Sequence, residues 1–223
     1  MLNNLREEVR STALAMLEAG LVVGSQGNVS AKDPATGLIA ITPTNMSYDS
    51  ITKDDIVIVD VDQRLIWGER KPSCETPMHS YIHKHRKDVY AILHTHSHYA
   101  TIFAIANRGI PPATINLAAY FGGEVRCAPY VRTGSDTMGP INLSYFGEKG
   151  EAILLGNHGA LFIGSNLHKV LKLAITLEEG ANQIYHAALL GNVVPLPPDE
   201  IQWLFNNLPG SEIEGQEKEM LKG

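Results

Sequence analysis

The chain has 223 residues with 18 basic and 24 acidic side chains, a formal net charge of -6, 44% hydrophobic residues, nine histidines and two cysteines. Such a balance describes a globular chain, and its acidity argues against a phosphate-backbone binder, so no nucleic-acid partner is expected. Two cysteines are too few for a disulfide scaffold, no apolar run approaches the ~20 residues of a membrane span, and the start Met1–Glu8 has no apolar signal core, so a cytoplasmic location away from membranes is expected.

Leu5, Val9, Ala13, Met16 and Leu17 recur at three- and four-residue spacing and predict an amphipathic helix over residues 3–19, ending at Gly20. The small-residue loop Gly24-Ser-Gln-Gly-Asn-Val-Ser30 then enters a short strand. Leu38–Thr42 reads as a second strand, and Ile56–Val61 with Arg64–Trp67 as a hairpin around Asp62-Gln63. A helix is predicted from about 75 to 87, with Pro77 in its first turn, where a missing N–H costs little. Val89–Leu93 is a β-branched and apolar run leading into His94-Thr-His96. Tyr99–Ala106 reads as helix, Glu124–Tyr130 as strand and Ser135–Glu148 as partly helical. Two apolar runs, Ala152–Leu155 and Ala160–Ile163, flank the tight turn Gly156-Asn-His-Gly159. A long helix is predicted over Leu167–Leu190, and a short one over Asp199–Phe205. No linker or repeat divides the chain. It reads as one α/β domain, residues 1–209, with a central, mainly antiparallel β-sheet flanked by helices, and a charged, frayed tail at 210–223.

In a strand, residues i and i+2 point to the same side, so His94 and His96 project together. His158 lies between glycines that permit close backbone approach. Three histidines with an open fourth position are the usual layout of a catalytic zinc site. Glu75 opens the predicted helix 19 residues before His94. One helix and one strand would return the chain beside the histidine pair, which makes Glu75 a fourth ligand or an adjacent base. The alternative reading is an acid compensating the helix dipole. His79 and His83 are four apart on that helix and could grip a metal, but Lys84 and Arg86 beside them suggest a solvated face. His85, His98, His168 and His186 read as surface or packing residues, with His98 the nearest to the pair. Three short polar turns, at Gly24–Ser30, Thr42–Asn45 and Ser73-Cys74, have the small side chains and backbone donors of an anion nest, though sequence alone does not bring them together.

Taken in order, Gly27-Asn-Val-Ser30, Ile41-Thr-Pro-Thr44, Lys71-Pro-Ser-Cys-Glu75, His94-Thr-His96, Cys127-Ala-Pro-Tyr130 and Asn157-His-Gly159 resemble the class II aldolase/adducin-like family, most closely its L-fuculose-1-phosphate aldolase branch, over roughly residues 5–205. The resemblance implies a three-layer domain assembled as a C4 homotetramer with active sites between subunits. It implies Zn2+, or another divalent ion such as Mn2+ or Co2+, held by His94, His96 and His158, with Glu75 moving a substrate proton. It also implies a cradle for a sugar phosphate at Gly27, Asn28, Thr44, Asn45, Ser73 and Cys74. The reaction implied is cleavage of a ketose 1-phosphate to dihydroxyacetone phosphate and an aldehyde.

This chain departs from the fuculose-type pattern in three ways. Cys74 and Asn45 stand where those aldolases usually read Pro-Ser-Ser-Glu and Pro-Thr-Gly. No tyrosine aligns cleanly with the catalytic tyrosine before the Gly-Gly turn, and Tyr120 is the nearest candidate. The C-terminal tyrosine is missing from the tail. Alternatives within the same metal chemistry are a ribulose-5-phosphate 4-epimerase, a decarboxylase or a methylthioribulose- or 5-deoxyribulose-phosphate enzyme. Epimerase is disfavoured because Ala119, where that branch has an acid, cannot move a proton. A non-catalytic adducin-like scaffold would lack the metal ligands altogether.

Overall fold

A computed structural model describes residues 1–147 and 150–208 of the chain, so the expected tail at 210–223 and the last residue of the 1–209 domain lie outside the described residues. Helix α1 (Asn3–Glu18) buries Val9, Ala13 and Met16 at three- and four-residue spacing. Strands β1 (Asn28–Lys32), β2 (Ile39–Ile41), β3 (Val57–Val59) and β4 (Leu65–Trp67) follow as a meander. Then come α2 (Thr76–His85), β5 (Ala91–Thr95), α3 (His98–Ile105), α4 (Ile115–Phe121) and the two-residue β6 (Cys127–Ala128). The chain continues through α5 (Met138–Phe146), β7 (Ala152–Leu155), β8 (Gly159–Gly164), α6 (Leu167–Leu190) and α7 (Pro198–Asn207).

The strands form one sheet in the order β4-β3-β2-β1-β5-β8-β7-β6, antiparallel throughout except for β6 against β7. Pleating sends alternate residues to opposite sides. Leu93, Phe162 and Leu154 join α1, α3, α4 and α6 in the larger core. Ile92, Leu161, Ile163 and Ile153 join Met78 and Ile82 of α2 and Met138 and Phe146 of α5 in the other. The mainly antiparallel, helix-flanked sheet expected from the sequence is therefore present.

Three elements differ from expectation. The strand expected at Val89–Leu93 is shifted to Ala91–Thr95, so His94 is itself a ladder residue paired with Asn28 and Leu161. The strand expected over 124–130 shrinks to Cys127–Ala128, because Pro129 follows it and Val125 instead bridges to Ile110. Helix α4 was not anticipated; Thr114 caps it by accepting a hydrogen bond from the Leu117 N–H.

The largest correction concerns His79 and His83, which are buried and face the sheet. Lys84 is exposed and reaches Asp62, while Arg86 follows the helix in extended backbone and pairs with Asp88. The Ser30 hydroxyl of β1 sits between the two imidazoles, 2.7 Å from His79 Nδ1 and 2.9 Å from His83 Nε2. One step along the seam, the Asn28 amide donates to Glu75 Oε2 at 2.7 Å, and at the other end Lys32 Nζ donates to the His83 carbonyl at 2.9 Å. Alternate β1 residues thus meet every fourth position of α2.

Burial holds both imidazoles neutral, driving His83 down to about 3 and His79 well below 6.5. Because their folded pKa values lie below the unfolded one, the unfolded chain takes up protons first as pH falls. Stability is therefore expected to decline from pH 6.5 downward, by up to about 1.4 kcal/mol per group per pH unit. Urea unfolding of metal-free protein at pH 7 and pH 5 should differ by at least about 2 kcal/mol; a flat profile over that range would contradict neutral burial.

Candidate metal centre

His94 is fixed by the sheet. Its Nδ1 donates to the Ala160 carbonyl across the β5–β8 ladder at 2.9 Å, which leaves Nε2 as the lone-pair nitrogen. His96 follows the last ladder residue, Thr95, and its Nε2 lies 2.9 Å from that of His94. His158 sits in the β7–β8 turn, where Asn157 takes a left-handed conformation (φ 56°) and the His158 N–H donates to the Leu155 carbonyl. The turn comes close to β5 only because of Gly159: a Cβ there would lie 2.1 Å from the Thr95 carbonyl oxygen. One donor nitrogen from each of the three histidines lies within 4.8 Å of the others.

Glu75 completes the cluster. It is the N-cap residue of α2, yet its carboxylate makes no capping bond and turns instead to Asn28 and the histidines. Oε2 lies 3.4 Å from His94 Nε2 and Oε1 lies 3.6 Å from His158 Nε2. Glu75 is 2% exposed, and Oε1 has no hydrogen-bond partner among the described residues. A buried carboxylate oxygen is costly without a partner.

The histidines are kept unprotonated. Burial, and then the neighbouring His96, hold His94 down at about 3. Burial is also the main cause lowering His96 and His158. Three neutral imidazoles therefore bring their nitrogens together, with the Glu75 carboxylate beside two of them. Bond lengths of about 2.0–2.1 Å around a tetrahedral ion place neighbouring ligand atoms about 3.3 Å apart, and the separations of 2.9, 3.4 and 3.6 Å bracket that value. The three histidines fit a divalent cation as nitrogen ligands, and Glu75 stands beside His94 and His158.

The polar turns, which the sequence left apart, meet at Glu75. The Thr44 N–H donates to the Lys71 carbonyl, the Ser73 N–H to the Thr42 carbonyl, and the Glu75 N–H to Ser73 Oγ. Gly27 (φ 70°) presses against β5, where a Cβ would lie 2.5 Å from the His94 carbonyl oxygen. Asn28 turns its amide to Glu75 and leaves Oδ1 buried without a hydrogen-bond partner. Asn45 occupies the left-handed region (φ 56°), a conformation asparagine tolerates nearly as glycine does, which accounts for its standing where fuculose-type aldolases read glycine. Cys74 is exposed, and burial of its thiol and the Glu75 charge raise its pKa, so it is a neutral thiol near pH 7. Tyr120 lies half-buried on α4, packed against the larger core, while His98 is exposed and meets the Tyr99 ring edge-on.

Residues 7–185 match the family model of the class II aldolase and adducin N-terminal domain. A 5-deoxy-D-ribulose 1-phosphate aldolase of Bacillus thuringiensis serovar kurstaki is 34% identical over 94% of this chain and 98% of its own. An L-ribulose-5-phosphate 4-epimerase of Salmonella paratyphi B is 28% identical over 83% of this chain and 86% of its own. Among solved structures, an L-fuculose 1-phosphate aldolase superposes with a TM-score of 0.87 at 30% identity, covering 92% of this chain and 96% of that one.

Replacing Gly159 with alanine should push the β7–β8 turn off the Thr95 carbonyl. It is expected to lower stability by about 2–3 kcal/mol and to weaken metal binding, read by urea unfolding and zinc titration. Wild-type values in both would show that the close approach is dispensable.

Proposed function

The chain belongs to the class II aldolase and adducin N-terminal domain family, and from that premise we propose that it is a metal-dependent aldolase that cleaves a ketose 1-phosphate to dihydroxyacetone phosphate and an aldehyde. The observation that carries this reading is Glu75: a buried carboxylate, held by Asn28 on one oxygen and set against two neutral imidazoles. Zn2+ is the ion proposed. When bound, it supplies positive charge for the negative charge that develops on the ketone oxygen as the C3–C4 bond breaks.

Glu75 is proposed to move the proton at C3. In cleavage, the electron pair of the C3–C4 bond passes to the dihydroxyacetone phosphate fragment, and Glu75 delivers a proton to its C3. In the reverse direction the carboxylate removes that proton. The bond from Asn28 occupies Oε2 and leaves Oε1 as the free oxygen. Tyr120 is proposed as the second catalytic group, accepting the C4 hydroxyl proton as the aldehyde forms and returning it in the reverse direction. Gly27, Asn28, Thr44, Asn45, Ser73 and Cys74 are proposed to line the phosphate site, where short polar turns and the bound cation would offset the chain's acidity. A homotetramer with active sites between subunits is part of the proposal. So is a reducing cytoplasm, which suits the two free thiols Cys74 and Cys127. Among the described residues no helix is long and apolar enough to cross a membrane.

The named relatives suggest 5-deoxy-D-ribulose 1-phosphate and L-fuculose 1-phosphate as first substrates to try. Epimerase is the second reading, from the Salmonella relative, and Ala119, an apolar residue buried on α4, weighs against it. Metal-replete protein is expected to release dihydroxyacetone phosphate from at least one of fuculose, rhamnulose and 5-deoxyribulose 1-phosphates. Silence on all three, with L-ribulose 5-phosphate epimerised at C4 when it is supplied, would favour the epimerase. Glu75→Gln should retain metal while turnover falls about 10²–10⁴-fold, and Tyr120→Phe should lose activity without losing metal. Less than about 0.2 equivalents of divalent ion, unchanged on reconstitution, would point to a scaffold.

A further inference from the structure

Three members of the cluster have an anchor: the Ala160 carbonyl for His94, the glycine-permitted turn for His158 and Asn28 for Glu75. His96 has none of these. It falls between the last ladder residue of β5, Thr95, and the first residue of α3, His98. Its position therefore depends on how firmly the N-terminus of α3 is held.

That terminus is capped in an unusual way. Ser97 is the N-cap residue, but its side chain makes no capping bond and lies instead 3.4 Å from Thr95 Oγ1. The second and third N–H groups of the helix are taken by Glu178, which reaches in from α6. Tyr99 N donates to Oε1 at 2.8 Å and Ala100 N to Oε2 at 2.9 Å. These are the orphan donors that an N-cap side chain normally satisfies, and a carboxylate there also meets the positive end of the helix dipole. At its other end α3 touches the turn that carries His158, where the Asn157 N–H donates to the Ala104 carbonyl at 3.0 Å. One short helix thus adjoins the segments of two candidate ligands, and Glu178 ties it to the core.

We infer that Glu178 is a positioning residue for the metal centre: by capping α3 from α6 it fixes His96, and through the Ala104–Asn157 contact it sets the separation of His96 from His158. This inference rests on the metal reading given above. Both carboxylate oxygens of Glu178 are taken by α3 N–H groups, so its effect passes through the helix to the ligands.

The test is the zinc dissociation constant of the folded protein, measured by competition with a chromogenic chelator, for wild type, Glu178→Ala, Glu178→Gln and the exposed neighbour Glu179→Gln. Loss of an outer-shell partner typically weakens metal binding about 10–100-fold. Glu178→Ala is expected in that range. Glu178→Gln, with one acceptor oxygen for two N–H groups, should fall between it and wild type, and Glu179→Gln should match wild type. Melting of the metal-free proteins separates the two kinds of role, because a residue that serves stability alone would lower Tm and leave zinc affinity unchanged. If Glu178→Ala does not fold, the isosteric glutamine variant supplies the reading. Tight zinc binding by wild type with equal affinity in the Glu178 variants would overturn the positioning role alone. No zinc retained by wild type would overturn the metal reading, and this inference with it.

Discussion

The site depends on two repeats that nearly match. Two residues of a strand advance about 6.8 Å, while four residues of a helix advance about 6.0 Å. Helix α2 lies along β1 within that tolerance, so Asn28 meets Glu75, Ser30 meets His79 and His83, and Lys32 meets the His83 carbonyl. Because β1 is also the ladder partner of β5, fixing α2 on β1 fixes Glu75 relative to His94. A polar seam buried between layers is costly wherever a contact is lost, and the Asn28 bond thereby specifies where the carboxylate stands.

Much of this was legible in the sequence. The pair at His94 and His96 reads directly from strand periodicity, and His158 from the glycines around it. Helix α6 has the bounds its periodicity gives, Leu167–Leu190. What stayed hidden is contact across layers. His79 and His83 read as a solvated face from the nearby Lys84 and Arg86, yet Lys84 is turned about 100° from His83 and Arg86 follows the helix in extended backbone. The clue available was their four-residue spacing from Glu75, which puts all three on one stripe. Glu178 was invisible for a different reason. Its partners are 79 and 78 residues away, and a glutamate in a long amphipathic helix gives no local sign of reaching another helix. Helix α4 was missed because the preceding Pro111-Pro112 reads as a break, although Thr114 was a cap signal.

Electrostatically, the centre is the reverse of the chain around it. The protein is acidic overall, but a sugar phosphate would meet a pocket whose histidines are neutral and whose single buried carboxylate is committed to Asn28 and the imidazoles. Attraction for an anion must then come from backbone N–H groups and a cation, both short-range. A site of that kind selects by fit at close quarters rather than by a field reaching into solution.

The hydroxyl of Ser30 adds a final constraint, because it has only one proton to give. His83 Nδ1 faces the Val89 carbonyl, which can only accept, so that nitrogen holds the ring's proton and Nε2 must accept from Ser30. Ser30 then has nothing left to donate to His79, and His79 Nδ1 must bring its own proton to the shared oxygen. That leaves His79 Nε2 bare, in agreement with its being a buried nitrogen without a hydrogen-bond partner. The seam is therefore a directed chain, with every donor pointing from His79 toward Val89. Reversing any one link would require both imidazoles to change tautomer together.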